Sequence, residues 1–414
     1  MLLAGAYSVV TPAFETPDEI WHFAYIHHLH TERALPVSAP QTTALWRQQG
    51  VQAPGYYLAV ALLTAWVDAS DFPTIYDRAN PHAAIGRPGT ADNRNYLVHH
   101  FPEESFPWRG VFLALHLARF LSVLLAAVTL WAVYGLLAPL VGERLALLAT
   151  AGLAFTPQFL FVSAAASNDN AINAAAALVL WQLTRLLTGP AQRWRSWRAW
   201  GLLGVFLGAA LLAKLSGLAL VGVVGAAALW MAWRVRSFRL LVRAALACGL
   251  PALVLAGWWY VRNWRLYGDP LAWNIWQQNI LLRVIPADWR TILAELESLE
   301  RSYWGLFGWF NVPYPEWVYW AFRGVEVMVA LGLLAALLRG VCPEKKDRTR
   351  MPRIRRIFTD QKGRMDFHRA DAAPICTILP FAVIYAFFHS PRRTESAWGS
   401  ALKNRIERGR HGSG

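Results

Sequence analysis

The apolar positions of this chain are gathered into long runs separated by short polar or charged connections. A helix crossing a hydrocarbon core ~30 Å thick needs about 20 mostly apolar residues. The runs 111–137, 145–166, 170–187, 199–213, 216–233, 241–260 and 318–338 are each read as one transmembrane helix, and 374–388 as a weaker candidate. The opening run 2–14 supplies only about 20 Å of helix at ~1.5 Å per residue, so it is read as the end of a first helix whose start lies upstream. No basic residue precedes it and no small-x-small cleavage site follows, which argues against a signal peptide. The pattern predicts an all-α polytopic membrane protein of about eight or nine transmembrane helices. Its large first outer loop, 15–107, carries amphipathic helices.

Composition strengthens this reading. The chain is 56% hydrophobic and only 16% charged, where soluble domains carry about 25% charged residues. A net charge of +14 would point to nucleic acid in a soluble protein. Residues 339–414, however, hold 17 Lys and Arg against 7 Asp and Glu, so the basicity is mostly C-terminal; the inferred partner is a lipid bilayer and not nucleic acid. Cys248, Cys342 and Cys376 are far apart and suit neither a disulfide framework nor a zinc site.

Lys and Arg in short connections set orientation more reliably than charges in long loops. Segment 188–198 carries Arg193, Arg195 and Arg198 without an acid, and segment 234–243 carries Arg234, Arg236, Arg239 and Arg243 without an acid, so both are placed in the cytoplasm. Counting helices outward puts loops 15–107 and 261–317, the corner Ser167-Asn168-Asp169-Asn170 and Lys214 together on the extracytoplasmic face. A spanning helix at 374–388 would carry the basic tail 389–414 outside as well, against the rule.

The candidate chemistry lies on that outer side. Thr16-Pro17-Asp18-Glu19 follows the opening run and leads into Trp21-His22-Phe23-Ala24-Tyr25. Its carboxylates read either as ordinary signals for a helix start or as a general base, partly desolvated near the bilayer, that takes a proton from a hydroxyl. Gln52-Ala53-Pro54-Gly55-Tyr56-Tyr57 opens the stretch 58–67, too short to span and read as an interfacial or re-entrant helix in which Tyr56 and Tyr57 serve as anchors. The corner around Asn168 and Asp169 is equally a capped turn. His116 and Arg119 lie inside the run 111–137, and Lys214 interrupts two apolar segments; ionisable residues at such depth are candidates for binding phosphate, with snorkelling and local pairing as the alternatives. Arg262 and Arg265 follow the aromatic exit Trp258-Trp259-Tyr260 on the side where positive residues are sparse. No Gly-rich phosphate loop or His-Glu-x-x-His motif occurs.

In their order, these elements resemble the GT-C class of integral membrane glycosyltransferases over about residues 1–338. The nearest likeness is to protein O-mannosyltransferase-like and aminoarabinose-transferase-like bacterial members and related uncharacterised membrane proteins. The residues that carry it are Pro17-Asp18-Glu19 with His22-Phe23, Ala53-Pro54-Gly55-Tyr56-Tyr57, Arg119 with Ser122, Ser167-Asn168-Asp169 and Ala213-Lys214 with Gly217. Arg262-Asn263 with Tyr267-Gly268-Asp269-Pro270, and Trp304-Gly305 with Phe307-Gly308-Trp309, complete the series. The resemblance implies a sugar donor on polyprenyl phosphate, a hydroxyl acceptor on lipid, glycan or protein, and inverting transfer at the extracytoplasmic face of a bacterial-type plasma membrane. It makes Asp18 the base, supported by Glu19 and Asp169, with Lys214, Arg262 and Arg119 neutralising the departing phosphate. His22, Tyr56, Tyr57, Asn168 and Arg265 are the positioning candidates. No cofactor is implied, and a divalent metal at Asp18 stays open.

Two departures stand out. Gln52 and Gly55 replace the His and second Pro of the related His-Pro-Pro-x-Tyr-Tyr pattern, and only Gln361-Lys362-Gly363-Arg364 answers a Gln-Gly-Arg-Tyr motif. The atypical basic region 339–414 reads as a truncated or frameshifted end. The rival functions are a transporter or flippase of lipid-linked glycans and a catalytically inactive paralogue. Residues 345–356 suit anionic lipid or simple cytoplasmic anchoring.

Overall fold

The computed structural model describes residues 1–280 and 288–341. The expected helix 374–388, Cys342, Cys376, the basic stretch 345–356 and Gln361-Lys362-Gly363-Arg364 lie outside the described residues. The chain divides into two compact units, one holding Met1–Pro313 and the other beginning at Tyr314.

The first unit opens with α1 (Leu2–Val10), α2 (Glu19–Glu32), α3 (Gly55–Leu63), α4 (Phe72–Tyr76) and α5 (Phe101–Glu104). The long α6 (Gly110–Val141) follows, then α7 (Glu143–Ala154), α8 (Pro157–Ser163), α9 (Asn168–Leu187), α10 (Trp197–Ala213), α11 (Leu218–Arg234) and α12 (Phe238–Ala252). A π-helical turn, Leu253–Gly257, joins α12 to α13 (Trp258–Tyr267); α14 (Trp273–Gln278) and α15 (Trp289–Trp304) precede a two-stranded antiparallel pair, β1 (Leu306–Phe307) and β2 (Val312–Pro313). In the second unit, α16 (Glu316–Val341) is apolar over Glu316–Ala335.

The fold is mostly helical, as the pattern of runs predicts. Among the described residues, four helical stretches are long and apolar enough to cross a membrane: Gly110–Val141, Leu215–Arg234, Phe238–Tyr267 and Glu316–Ala335. The α7–α8 pair makes a fifth if counted as one span. The higher expected count is thus met only in part, since α1 has 9 residues, α10 has 17, and α9, expected to span, is not among the stretches apolar enough to do so. On α6, Phe120, Leu124, Val128 and Trp131 are exposed at helical spacing, as a lipid-facing stripe would be.

Two elements differ from their runs. The run 145–166 is not one helix but two, bent by 66° between Ala154 and Pro157. Pro157 supplies no N–H and drives Thr156 into an extended conformation, so the α-helical ladder cannot pass. The run 241–260 continues for 30 residues, Phe238–Tyr267. Pro251 inside α12 leaves a carbonyl without its usual donor, and the helix widens into the π turn directly after it. Thirty residues give roughly 45 Å of helix, more than a hydrocarbon core needs.

Apolar packing among the described residues falls into two large cores and a small cluster of Ala4, Val123 and Leu160. One joins α2, α3, the loop after it and the start of α6, around Trp21, Phe23, Tyr25, Tyr57, Phe72 and Trp309. The other unites α9, α10, α11 and α12 around Leu183, Trp200, Leu203, Leu207 and Met231. Gly204 and Gly208 let α10 approach α12 closely: a Cβ at Gly204 would strike the Cys248 carbonyl, and one at Gly208 would press on Ala252 and Leu255.

The two long loops close on each other. Trp309 donates its indole N–H to Phe14 O at 3.0 Å and stacks on Tyr96 at 4.1 Å, while Asn311 Nδ2 donates to Arg94 O at 2.7 Å. The far end of the first loop is tied to its beginning by a carboxylate–imidazole–carboxylate clasp. Glu15 accepts from Tyr96 N and Leu97 N, and His99 lies between Glu15 at 2.9 Å and Glu104 at 2.8 Å. Burial alone would lower the His99 pKa, but hydrogen bonds and charges from Glu104 and Glu15 raise it to about 9. With the folded pKa above the ordinary 6.5, the clasp contributes fully below that value and is lost as pH rises through about 9. The melting temperature of the full chain is therefore expected to fall between pH 7 and 9.5 more steeply than that of His99→Gln; parallel curves would remove the clasp from the stability of the loop.

Candidate functional site

The turn from α1 into α2 is held by a buried ion pair. Arg119 and Glu19 are both fully buried, with Nε–Oε1 at 2.9 Å and Nη2–Oε2 at 2.6 Å. The remaining Arg119 donors reach Ser8 O, Thr11 O and Pro12 O, capping the carbonyls at the end of α1. Glu19 also accepts from Ala166 N and Phe14 N. Burial by itself favours the neutral acid, yet the Arg119 charge and these donors bring the Glu19 carboxyl below its usual range. Arg119 therefore has no donor left for a phosphate in this arrangement: the local-pairing alternative is the one realised.

That pair shapes the turn in which Asp18 sits. Phe14 (φ 61°) and Asp18 (φ 63°) are both left-handed, a conformation Asp tolerates far better than Phe. Pro17 precedes the helix instead of occupying its first turn, and Asp18, at the N-cap, makes no side-chain capping bond. Its carboxylate is turned to loop 15–107, where Gln49 Nε2 donates to Oδ2 at 3.2 Å. A plain helix-start role does not account for this orientation.

From α2, α3, the α8–α9 corner and the end of α10 a continuous polar chain is assembled. The Tyr57 hydroxyl lies 2.7 Å from His22 Nδ1, His22 Nε2 lies 3.4 Å from Ser167 Oγ, and Ser167 Oγ donates to Asp169 Oδ2 at 3.2 Å. Lys214 Nζ closes the chain on Asp169 Oδ1 at 2.6 Å. The Lys214 and Asp169 side chains retain 16% and 32% exposure, so the chain runs from a buried tyrosine to a partly open ion pair. Burial pushes the His22 pKa down to about 3, and the imidazole stays neutral. Burial likewise raises the Tyr57 hydroxyl well above its ordinary value, an effect that the nearby Tyr25, Asp169, Tyr56 and Asp18 add to. Tyr57 thus stands within electrostatic reach of both non-buried carboxylates.

Asn168 and Asp169 are where they are because Ser167 caps α9, accepting from Asp169 N. Asn168 Nδ2 donates to Ala213 O at 3.2 Å and to Gln52 Oε1 at 3.4 Å, linking α9 to α10 and to the loop before α3. Its buried Oδ1 has no hydrogen-bond partner among the described residues. Lys214 is the C-cap of α10, so the Asp169–Lys214 pair also complements the positive end of α9 and the negative end of α10. Gly55 packs against the Leu212 carbonyl, leaving no room there for a Cβ.

The other candidates are distributed around this centre. Tyr56 is buried, pairs with Ser122 Oγ at 2.9 Å and packs edge-on against Tyr57 at 5.8 Å. Arg262 donates through Nη2 to Pro36 O at 2.7 Å and lies over Trp259, while its buried Nη1 has no hydrogen-bond partner among the described residues. Arg265 is exposed on α13 and is not brought into the cluster. Asp269 caps α14, accepting from Leu271 N, Trp273 N and Asn274 N, and so serves the turn. Sequence reasoning missed Gln49 as a partner of Asp18, Ser167 as the link between His22 and Asp169, and Tyr25, whose ring stacks on Tyr57 at 4.0 Å and whose buried hydroxyl has no hydrogen-bond partner among the described residues. Periodicity carries no signal for such contacts.

No curated protein and no solved structure matches the chain. The apolar helices and the family comparison together indicate an integral membrane protein. Residues 114–260, from α6 to Tyr260 in α13, match the family model described as dolichyl-phosphate-mannose-protein mannosyltransferase, and over that segment, which carries Arg119, Asp169 and Lys214, the chain is similar to GT-C-type membrane glycosyltransferases.

Proposed function

We propose that this chain is a membrane glycosyltransferase that moves a sugar from a polyprenyl-phosphate donor to a hydroxyl acceptor at the extracytoplasmic face. The observation that carries the reading is the gathering of His22, Tyr57, Ser167, Asp169 and Lys214 from separate stretches of chain into one polar chain, with Asp18 in electrostatic reach of Tyr57 and with Ser167, Asp169 and Lys214 inside the family-like segment. In this reading α9 and α10 count as spans as well, which with the four long helical stretches and the α7–α8 pair makes seven among the described residues.

The acceptor hydroxyl gives its proton to Asp18 as its oxygen attacks the anomeric carbon; the bond to the donor phosphate breaks with inversion, and polyprenyl phosphate leaves. Lys214 and Nη1 of Arg262, which has no hydrogen-bond partner among the described residues, neutralise the developing charge. Asp169 orients Lys214, neutral His22 fixes Tyr57 and Ser167, and Glu19 with Arg119 holds the turn that presents Asp18. No cofactor is invoked in this reading; the alternative is a divalent ion, which Asp18 would hold and which would help neutralise the phosphate, revealed by loss of transfer in EDTA and its return with Mg²⁺.

Lys214→Met is expected to raise the KM for a radiolabelled polyprenyl-phosphate hexose about tenfold or more, with a smaller fall in kcat, because one charge-assisted contact to phosphate is lost. An unchanged KM would take Lys214 out of the donor site.

A further inference from the structure

At the other end of α10, some 25 Å from Lys214 at ~1.5 Å per residue, the two arginine-rich connections meet. Arg243 Nη1 donates to Arg195 O at 2.7 Å and its guanidinium lies 5.7 Å from the Trp197 ring centre. Between them is an open groove of about 220 Å³ lined by Trp197, Phe238, Arg239, Val242, Arg243 and Leu246. Its lining is mainly apolar, with Arg239 and Arg243 as the polar members.

The polar part is cationic throughout. Arg239 is exposed and has no hydrogen-bond or ion-pair partner among the described residues, and Arg243 Nε is buried without one. Neither connection contains an acid, and the groove includes the start of α12, whose first turn has neither an acid nor a side-chain cap. Positive helix dipole and guanidinium groups therefore face the same space. The apolar part runs on from the groove along α12: Val242, Leu246 and Leu250, spaced by one turn, are 41%, 45% and 57% exposed. A free inorganic anion would leave that stripe uncovered.

We infer that this groove binds one anionic phospholipid, its phosphate held by Arg239, Arg243 and the α12 N-terminus and an acyl chain lying along Val242, Leu246 and Leu250. Positive-inside orientation puts this end at the leaflet where anionic lipid is found. The site is independent of the chemistry at Asp18.

The test uses the full chain in neutral detergent, with lipid binding followed by native mass spectrometry and by tryptophan-monitored melting. Dioleoyl phosphatidylglycerol is expected to bind and raise the melting temperature, while dioleoyl phosphatidylcholine and inorganic phosphate do not. Arg239→Gln with Arg243→Gln should weaken phosphatidylglycerol binding about tenfold or more. Because Arg243 also braces Arg195, the single Arg239→Gln variant, which removes no contact among the described residues, should show a smaller loss in the same direction. Equal binding of phosphatidylcholine, equal stabilisation by inorganic phosphate, or full phosphatidylglycerol affinity in both variants would overturn the site.

Discussion

Asp18→Asn is expected to lower sugar transfer by about 10²- to 10⁴-fold, the usual contribution of a positioned general base, while donor binding is retained. Asn is isosteric with Asp, is at home in the left-handed region, and can still accept from Gln49 Nε2, so the turn and the loop contact survive. What is lost is the ability to take a proton. The comparison with Asp169→Asn sharpens the assignment. Asp169 is occupied by Lys214 and Ser167, and its replacement frees Lys214 from its partner, which should disturb donor KM before it disturbs the proton-transfer step. Unchanged turnover in Asp18→Asn, measured with a radiolabelled donor at saturation, would move the base elsewhere.

The second large effect is on stability. Removing one partner of a buried ion pair leaves the other charge uncompensated, at a cost of about 3–5 kcal/mol. Glu19→Gln should therefore destabilise the chain severely: Arg119 is fully buried and would face a neutral amide whose oxygen can keep only one of the two short contacts, while its NH2 would meet a donor. Arg119→Met should do similar damage, freeing three carbonyls at the end of α1 as well. The double variant removes both charges and should recover part of the loss, whereas additive losses in tryptophan-monitored melting would mean that the two residues act separately. Activity in Glu19→Gln should fall with the folded fraction and with the misplacement of Asp18, not through loss of a proton acceptor.

Much of the helical frame was legible in the runs, because burial in lipid imposes a long uniform apolar stretch that short-range reading detects. The α7–α8 break was signalled by Thr156-Pro157 but hidden by continuous apolarity on both sides. The π turn after Pro251 was likewise marked by a proline within an unbroken run.

At the site, Asp169 and Lys214 could be nominated from their positions at helix ends, and the structure pairs them. Glu19 and Arg119 were nominated too, yet nothing local joins two residues 100 positions apart, so their mutual burial was invisible and Arg119 was read as a phosphate ligand. Glu15, His99 and Glu104 escaped notice for the same reason: each looks like an ordinary polar loop residue until the loop closes on itself. The left-handed backbone at Asp18, which turns its carboxylate away from the helix start, follows from that tertiary clamp and from no sequence motif.

The most direct test is to place the purified full chain in proteoliposomes with a polyprenyl-phosphate hexose labelled in the sugar and to follow the label and the lipid separately. The account predicts that label appears on a hydroxyl acceptor in step with release of unglycosylated polyprenyl phosphate, and that Asp18→Asn binds the donor without releasing either. Movement of intact labelled donor across the bilayer with no glycosidic bond broken would contradict it and identify the chain as a transporter of lipid-linked sugar.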